Sequence, residues 1–573
     1  MKSNRIALLF LILILVLVTG CGGKGGSKGP TLASISITPT TPSLALGVPQ
    51  LFTATGVYSD NSTRDLTTTA IWSSSSEAVA TINKGLATTL STGTTTISAS
   101  LSNITDSTTL TVTAAKLASI TVTPADATIS TGATLSYTAL GTYTDSISPT
   151  DITASVTWSS SAPGVATISS AGLATAPTSS ITTAPTSTTM IVAASNGVSG
   201  SAILTVTGGS AAVAMNVLPI TVNGSLCSSA NSVNYLNKPC VSVTICVPNT
   251  STCQTITDIL LDTGSFGLRI FKQALTITLP QITTSGSGSL AECVQFGDGS
   301  AEWGPVKSAA VLLGSEPAVT VPIQVIDATF GAVPSSCGVP DKQPTDAGFN
   351  GILGVGLFAQ DCGSVCQTNA VGLYYSCSGT NCTGTTVPLS NQVINPVASL
   401  PRDSNGVIVQ LPSVPTDGYP SINGILVLGI GTQSNNTPLP GVKTYNANTS
   451  GEVRTIFNGT TYFSIIDSGS NGLFFTPPSA SLLPACGGWF CPSSTTLFSA
   501  TNEGATGTTS GDVVFQIGNF MSLISGSNQV FSDIGGTGPG IFDWGLPFYF
   551  GRSIYVGIRG QMSSLGTGPY FAY

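Results

Sequence analysis

One phrase in this chain occurs twice. Ile259-Leu260-Leu261-Asp262-Thr263-Gly264-Ser265-Phe266-Gly267-Leu268 returns as Phe463-Ser464-Ile465-Ile466-Asp467-Ser468-Gly469-Ser470-Asn471-Gly472-Leu473. Each copy is an apolar run, then Asp, a small hydroxyl residue, Gly and Ser, then Gly-Leu and apolar residues again. That pattern reads as a buried strand entering a tight polar turn and leaving as a second strand. An acid at the end of a buried strand is costly unless hydrogen-bonded, and the adjacent hydroxyls and the amides of Gly264 and Gly469 are its candidate partners. Any fold for this chain must hold two such turns, and they are expected to be halves of one two-carboxylate site.

The chain contains no histidine. Ser-His-Asp and Cys-His catalysis and His-ligated zinc are therefore excluded, and acid/base chemistry falls to carboxylates, Tyr, Lys or Cys. Two carboxylates a hydrogen bond apart cannot both ionise cheaply, so they share a proton at mildly acidic pH. One then acts as base on a water while the other, protonated, polarises a carbonyl oxygen. Such a pair hydrolyses amides with no metal, no cofactor and no covalent intermediate. Asp262 and Asp467 are the candidate catalytic pair. Thr263 and Ser468 are expected to brace the two turns, and Ser265 and Ser470 to hydrogen-bond the acids.

At 573 residues the chain is too long for a single core. Only 7% of it is charged while 41% is hydrophobic, with many short β-branched runs, so it reads as folded all-β material rather than a disordered tail. The net charge is −8 with no Lys/Arg cluster, which argues against a nucleic-acid partner.

Met1 to Arg5 is a basic start and Ile6 to Val18 is wholly apolar, too short for a membrane span but the length of a signal-peptide core. Its end, Leu17-Val18-Thr19-Gly20-Cys21, resembles the bacterial lipoprotein processing site. The resemblance implies removal of residues 1–20 and a lipid anchor on Cys21 that ties the chain to a membrane of the cell envelope, outside the cytoplasm, in the periplasm or at the surface. The alternative is an ordinary secretory signal with a chance cysteine. Residues 21–30 read as a Gly-rich tether. The other twelve cysteines lie between Cys227 and Cys491, and export with an even count predicts disulfides. Cys246–Cys253 and Cys486–Cys491 are plausible local pairs; the remaining connectivity is not readable.

Residues 31–115 and 116–208 are repeats. Leu32-Ala33-Ser34-Ile35 matches Leu117-Ala118-Ser119-Ile120, Trp72-Ser73-Ser74-Ser75 matches Trp158-Ser159-Ser160-Ser161, and Val79-Ala80-Thr81-Ile82 matches Val165-Ala166-Thr167-Ile168. Each copy is roughly 90 residues, the size of a small β-sandwich. A Thr/Ser/Pro-rich insertion near Ala176 to Thr189 reads as a loop. The Trp-Ser-Ser and Val-Ala-Thr-Ile segments resemble bacterial immunoglobulin-like group 2 domains, which implies a spacer or adhesive role, read here as a stalk.

From about Ala211 the texture changes to cysteines, aromatics and Gly-rich loops around short apolar runs. This module, 211–415 and 416–573, carries both Asp turns and resembles the pepsin-type aspartic proteases, whose two lobes each supply one Asp-Thr/Ser-Gly-Thr/Ser turn. Val241 to Ile245 resembles the strand preceding the first turn. Phe296-Gly297-Asp298-Gly299-Ser300 falls where that family places its substrate-covering flap, and its Asp-Gly pair is a hairpin signal. Phe349 to Gly356 and Ile541 to Phe548 resemble the apolar-Gly segments behind each aspartate. The resemblance implies a bilobal β module and, as function, a lipid-anchored exported endopeptidase acting on peptide or unfolded protein. The alternative is a non-catalytic binding module of that fold, or an adhesin, displayed on the Ig-like stalk. Two positions depart from the family. Phe296 replaces the flap tyrosine, and Arg269 stands where that tyrosine's tryptophan partner is expected, a pocket variant that would favour an anionic substrate group or cap the turn from an exposed position.

Overall fold

A computed structural model describes residues 29–145, 148–176, 186–207, 215–228, 230 and 235–573. The leader, Cys21, most of the tether and residues 177–185 of the insertion lie outside the described residues.

Alternating apolar positions make the strands of both repeats. Ile35 and Ile37 in strand Leu32–Thr38, and Ile120 and Val122 in Leu117–Thr123, enter two separate cores. Each repeat packs a four-stranded sheet against three-stranded ones. The Trp-Ser-Ser signature has a local cause. The indole N–H of Trp72 donates to Thr67 O (2.8 Å) and that of Trp158 to Thr153 O (3.0 Å). Ser74 and Ser160 then meet a buried threonine hydroxyl on the neighbouring strand, Thr95 and Thr189 respectively.

The second repeat is more than a spacer. Met190 and Val192 project from strand Thr186–Ser195 into a cluster with Ile408, Ile425, Val427, Tyr555 and Tyr570 of the C-terminal module. Ser199 and Ser201 donate to Gly551 O and Leu411 O, each at 3.0 Å, and Lys116 pairs with Asp512. In the first repeat the matching strand Gly93–Leu101 carries exposed Thr96 and half-exposed Ser98 at those positions. Two apolar side chains in place of two polar ones turn the second sandwich into a fixed buttress.

The C-terminal module contains a 15-stranded and a nine-stranded sheet. In the first, strand Cys253–Asp262 lies antiparallel to Pro239–Cys246 and parallel to Gly351–Val355, which also pairs antiparallel with the outgoing strand Phe266–Phe271. The second sheet repeats the pattern: Thr460–Ile466 runs parallel to Phe542–Trp544, which pairs antiparallel with Leu473–Phe475. Asp262 therefore ends, and Asp467 directly follows, a strand paired along both edges. Strands Val217–Val222, Ile422–Leu428, Gly406–Gln410 and Ser553–Gly557 carry the large sheet on beneath both halves. The stretch Cys362 to Ser399 adds strands Tyr374–Ser378 and Asn381–Gly384 beside the hairpin strand Ser289–Gln295.

The twelve cysteines form six disulfides: 227–240, 246–253, 293–337, 362–366, 377–382 and 486–491. Both predicted local pairs are among them. Helices among the described residues are single turns, and none is long and apolar enough to cross a membrane. The chain is all-β, two sandwiches followed by a β-rich module.

Candidate active site

The two Asp turns meet face to face. Thr263 Oγ1 donates to Ile466 O (3.0 Å) and accepts from the Ser468 amide (2.9 Å). Reciprocally, Ser468 Oγ donates to Leu261 O (2.8 Å) and accepts from the Thr263 amide (3.1 Å). Both hydroxyls are buried, so each of these four bonds satisfies a group that would otherwise be stranded. Tyr549 adds a fifth contact, its hydroxyl 2.6 Å from Thr263 Oγ1. The amides of Gly264 and Gly469 donate to Asp262 Oδ1 (2.7 Å) and Asp467 Oδ1 (2.8 Å). These glycines are required for space: a Cβ on Gly264 would lie 2.6 Å from the Asp467 carboxyl carbon, and one on Gly469 would lie 2.8 Å from Asp262 Oδ1.

The brace brings the two carboxyls together: the point where a Cβ on Gly469 would lie is 2.8 Å from Asp262 Oδ1 and 3.2 Å from Asp467 Oδ1. Burial, then the adjacent Asp262 and Asp543 carboxyls, holds the Asp467 carboxyl well above the usual carboxylate range, against the pull of the Gly469 amide. The pair therefore retains a proton where an exposed pair would have lost both.

The serines that end the two turns differ. Ser470 Oγ donates to Asp467 Oδ2 (2.9 Å), as expected. Ser265 does not bond Asp262: its hydroxyl is buried and has no hydrogen-bond partner. The same sequence letter points into unlike surroundings, so the expectation that both serines serve their acids is corrected for Ser265.

Phe296 to Ser300 form a tight hairpin, with Phe296 and Ser300 bonded across it and the Asp298 carboxylate accepting from the Ser300 amide and hydroxyl. Gly297, Asp298 and Gly299 are exposed at the tip, and Gly299 takes φ +86°, which suits glycine. Phe296 packs with Leu260, Phe271, Phe349 and Ile352, behind the first turn. Tyr235 joins the same cluster and donates its hydroxyl to Gly469 O (3.0 Å). Burial, followed by the Asp467, Asp262 and Asp298 carboxylates, raises the Tyr235 phenol. A phenol is thus bonded to the second turn and close enough to both acids and the hairpin's Asp298 to feel their charge.

Arg269 is neither exposed nor open to a substrate anion. It is 1% exposed, donates to Phe266 O (2.6 Å), and pairs with Glu292 (2.9 Å) and Asp361 (3.1 Å). Asp361 in turn accepts from the Tyr374 hydroxyl at 2.7 Å. Burial works against the guanidinium charge, and the Glu292 and Asp361 carboxylates more than restore it. Glu302, on the hairpin's second strand, is buried beside this network and pushed up to about 8 by burial. Sequence reasoning missed this cluster, because Glu292, Glu302 and Asp361 come from three distant segments with no local mark.

It also assigned no role to Asp543, whose signal was visible. An acid interrupts the apolar run Ile541-Phe542-Asp543-Trp544 of a buried strand. Burial pushes the Asp543 carboxyl up to about 7, with the Ser470 hydroxyl lowering it and Asp262 raising it. A grouping of Cys227, Cys240 and Asp258 has metal-like spacing, but its sulfurs are joined in a disulfide and Asp258 pairs with Lys238.

Residues 212–573 match the family described as "Protein of unknown function (DUF3443)", and residues 31–112 and 116–206 each match the bacterial Ig-like domain (group 2). The two repeats are domains of that Ig-like group. Ice-binding protein 1 of Shewanella frigidimarina is 41% identical over 174 residues, 28% of this chain and 19% of that protein, so the chain spans about a fifth of its length. Among solved structures, domains 4 and 5 of the S-layer protein SbsC cover 31% of this chain and 100% of their own, at 15% identity and TM-score 0.16. Mouse cadherin-23 EC22-24 covers 30% and 64%, at 16% identity and TM-score 0.16.

Proposed function

We propose that this chain, which belongs to the DUF3443 family, is an exported aspartic endopeptidase whose C-terminal module is a variant of the pepsin-type fold. One observation carries the reading: two Asp-hydroxyl-Gly-Ser turns from separate sheets, cross-braced through Thr263 and Ser468, with both carboxyls crowded onto Gly264 and Gly469. Asp467, which keeps its proton, polarises the scissile carbonyl oxygen. Its partner takes a proton from water as the water oxygen attacks the carbonyl carbon. The tetrahedral intermediate then collapses as the C–N bond breaks, and the amine nitrogen receives the proton. The hairpin at Phe296 to Gly299 covers an extended peptide laid across the turns.

Six disulfides support an oxidising compartment outside the cytoplasm, and acylation of Cys21 would tether the chain there. The buttressed second Ig-like domain would hold the module at a fixed attitude to that anchor.

A second reading, a peptide-binding module without turnover, draws on Phe296, which brings no hydroxyl to the hairpin, and on Tyr235, whose hydroxyl is tied to Gly469 O of the second turn. Incubation with an unfolded protein at acidic pH separates the two. The expected result is cleavage that a statine-type inhibitor blocks and that Asp262→Asn or Asp467→Asn lowers by at least about a thousandfold. Cleavage unchanged in both variants would remove the dyad from the chemistry. Inhibitor binding without cleavage by the wild type at any pH would leave the binding module.

A further inference from the structure

Among the cross-strand pairs that differ between the two half-sites, one brings in a charge-bearing group on each side. In the first, Arg269 faces Ile352; in the second, Phe474 faces Asp543. The preceding pairs, Leu268 with Leu353 and Leu473 with Trp544, fix the equivalence. Asp543 therefore stands where the first half buries an isoleucine. It is 5% exposed, and its Oδ1 has no hydrogen-bond partner. Burying an acid with one oxygen unpartnered in a site that accepts an aliphatic side chain is costly, and fold alone gives no reason for it. Its paired strands Thr460–Ile466 and Leu473–Phe475 bring no cation. The titratable groups around it are Asp467 on the adjacent turn, Asp262 on the opposite turn, and Tyr549.

We propose that Asp543 is the third carboxyl of the site, a positioning residue that acts on Asp467 through the Ser470 hydroxyl. This rests on the paired-carboxylate reading above. Protonated Asp543 donates to Ser470 Oγ, which leaves Ser470 to donate its own proton to Asp467 Oδ2, the 2.9 Å bond present here. Ionised Asp543 competes for that same hydroxyl proton and adds a negative charge beside the dyad. Both changes make the dyad hold its shared proton more tightly. The one-proton form of the pair thus persists to higher pH than two isolated acids would allow. With Asp543 pushed up to about 7, the change falls in the neutral range.

The test is the pH profile of kcat/KM on an unfolded protein for wild type, Asp543→Asn and Asp543→Ile, the last restoring the first half's residue. At pH 4, where the wild-type carboxyl is neutral, Asp543→Asn is expected within about twofold of wild type. Above pH 7, where the wild-type carboxyl is ionised, it should fall progressively below, towards roughly tenfold, as the alkaline limb moves about one unit lower, with KM little changed. Asp543→Ile should show the same limb shift. Superimposed profiles would overturn the proposal, and so would an equal loss at every pH, the mark of a packing defect. Carbon-13 NMR of labelled aspartate carboxyls reads the coupling without turnover. Asp467 should titrate about one unit lower in Asp543→Asn, and an unmoved Asp467 overturns the proposal even in a protein that cleaves nothing. A shifted Asp467 in an inactive wild type would instead leave this coupling standing and sink the peptidase reading.

Discussion

The two halves of the candidate site carry the same turn and the same brace, yet they rest on opposite kinds of interior. Behind the first turn lies a buried charge network of Arg269, Glu292, Asp361 and Glu302. Behind the second, Phe457, Phe475, Phe515, Phe542 and Trp544 pack ring against ring, with Phe542 and Trp544 centroids 4.5 Å apart. Phe474 holds the position that corresponds to Arg269, and it leans on Trp489 at the rim. The turns are alike because their geometry is fixed by reciprocal bonds between them, not by what lies underneath. The interiors are free to differ, and that freedom gives the hairpin side a stability that depends on a buried cation with its carboxylates and the other side one that rests mainly on aromatic packing.

The sharpest way to break this comparison is to remove the cation. Arg269→Met leaves Glu292 and Asp361 buried without a counter-charge and is expected to destabilise the module by about 3–5 kcal/mol. Phe474→Leu, at the matching position, trims a half-exposed ring and should cost about 1 kcal/mol. Thermal or denaturant unfolding of the two variants measures the contrast. Equal losses would mean that the network does not hold the first half.

The next effect is a pH dependence that Glu302 gives the first half. Glu302 is raised to about 8 in the folded chain from an ordinary value of 4.5, with burial as the chief cause. Its neutral form is the one folding favours, so its contribution is fully present below the ordinary value. It is lost as pH rises through the folded one. Glu302→Gln stays neutral throughout. The variant is expected to match wild type near pH 4 and to exceed it by on the order of 3 kcal/mol at pH 8 and above. Unfolding curves across that range check this, and a gap that does not grow with pH would place Glu302 in contact with solvent.

What was legible in the sequence is what depends on neighbours along the chain. The two turns, the hydroxyls that brace them, the Asp298-Gly299 hairpin and the Cys246–Cys253 and Cys486–Cys491 bridges all lie within a few residues of their own signals. The Arg269 network was not legible, because its carboxylates arrive from Glu292 and Asp361 only when sheet and insertion are assembled. Docking of the second Ig-like domain left a faint trace: Met190 and Val192 stand where the first has Thr96 and Ser98. That difference breaks the alternation on an outer face, and only a partner surface explains it.

Ser265 and Ser470 give the smallest and cleanest test, since identical letters at matched positions have unlike surroundings. Ser470 Oγ donates to Asp467 Oδ2 and, on the proposal above, links that acid to Asp543. Ser470→Ala removes the hydroxyl that orients the Asp467 carboxyl, and it should lower kcat about tenfold, roughly 1.4 kcal/mol, with little change in KM. Ser265 Oγ is buried with no partner, so its desolvation is uncompensated in the folded state. Replacing it takes away an unsatisfied group and breaks no bond; Ser265→Ala is therefore expected to leave kcat unchanged and stability equal or higher by about 0.5 kcal/mol. If Ser265→Ala loses activity as Ser470→Ala does, the first hydroxyl engages Asp262 once substrate is present, and the two halves are more alike in action than at rest. If it does not, the asymmetry belongs to the chemistry. The second turn, with Ser470 and Asp543, then governs the proton, and the first supplies only its partner carboxylate.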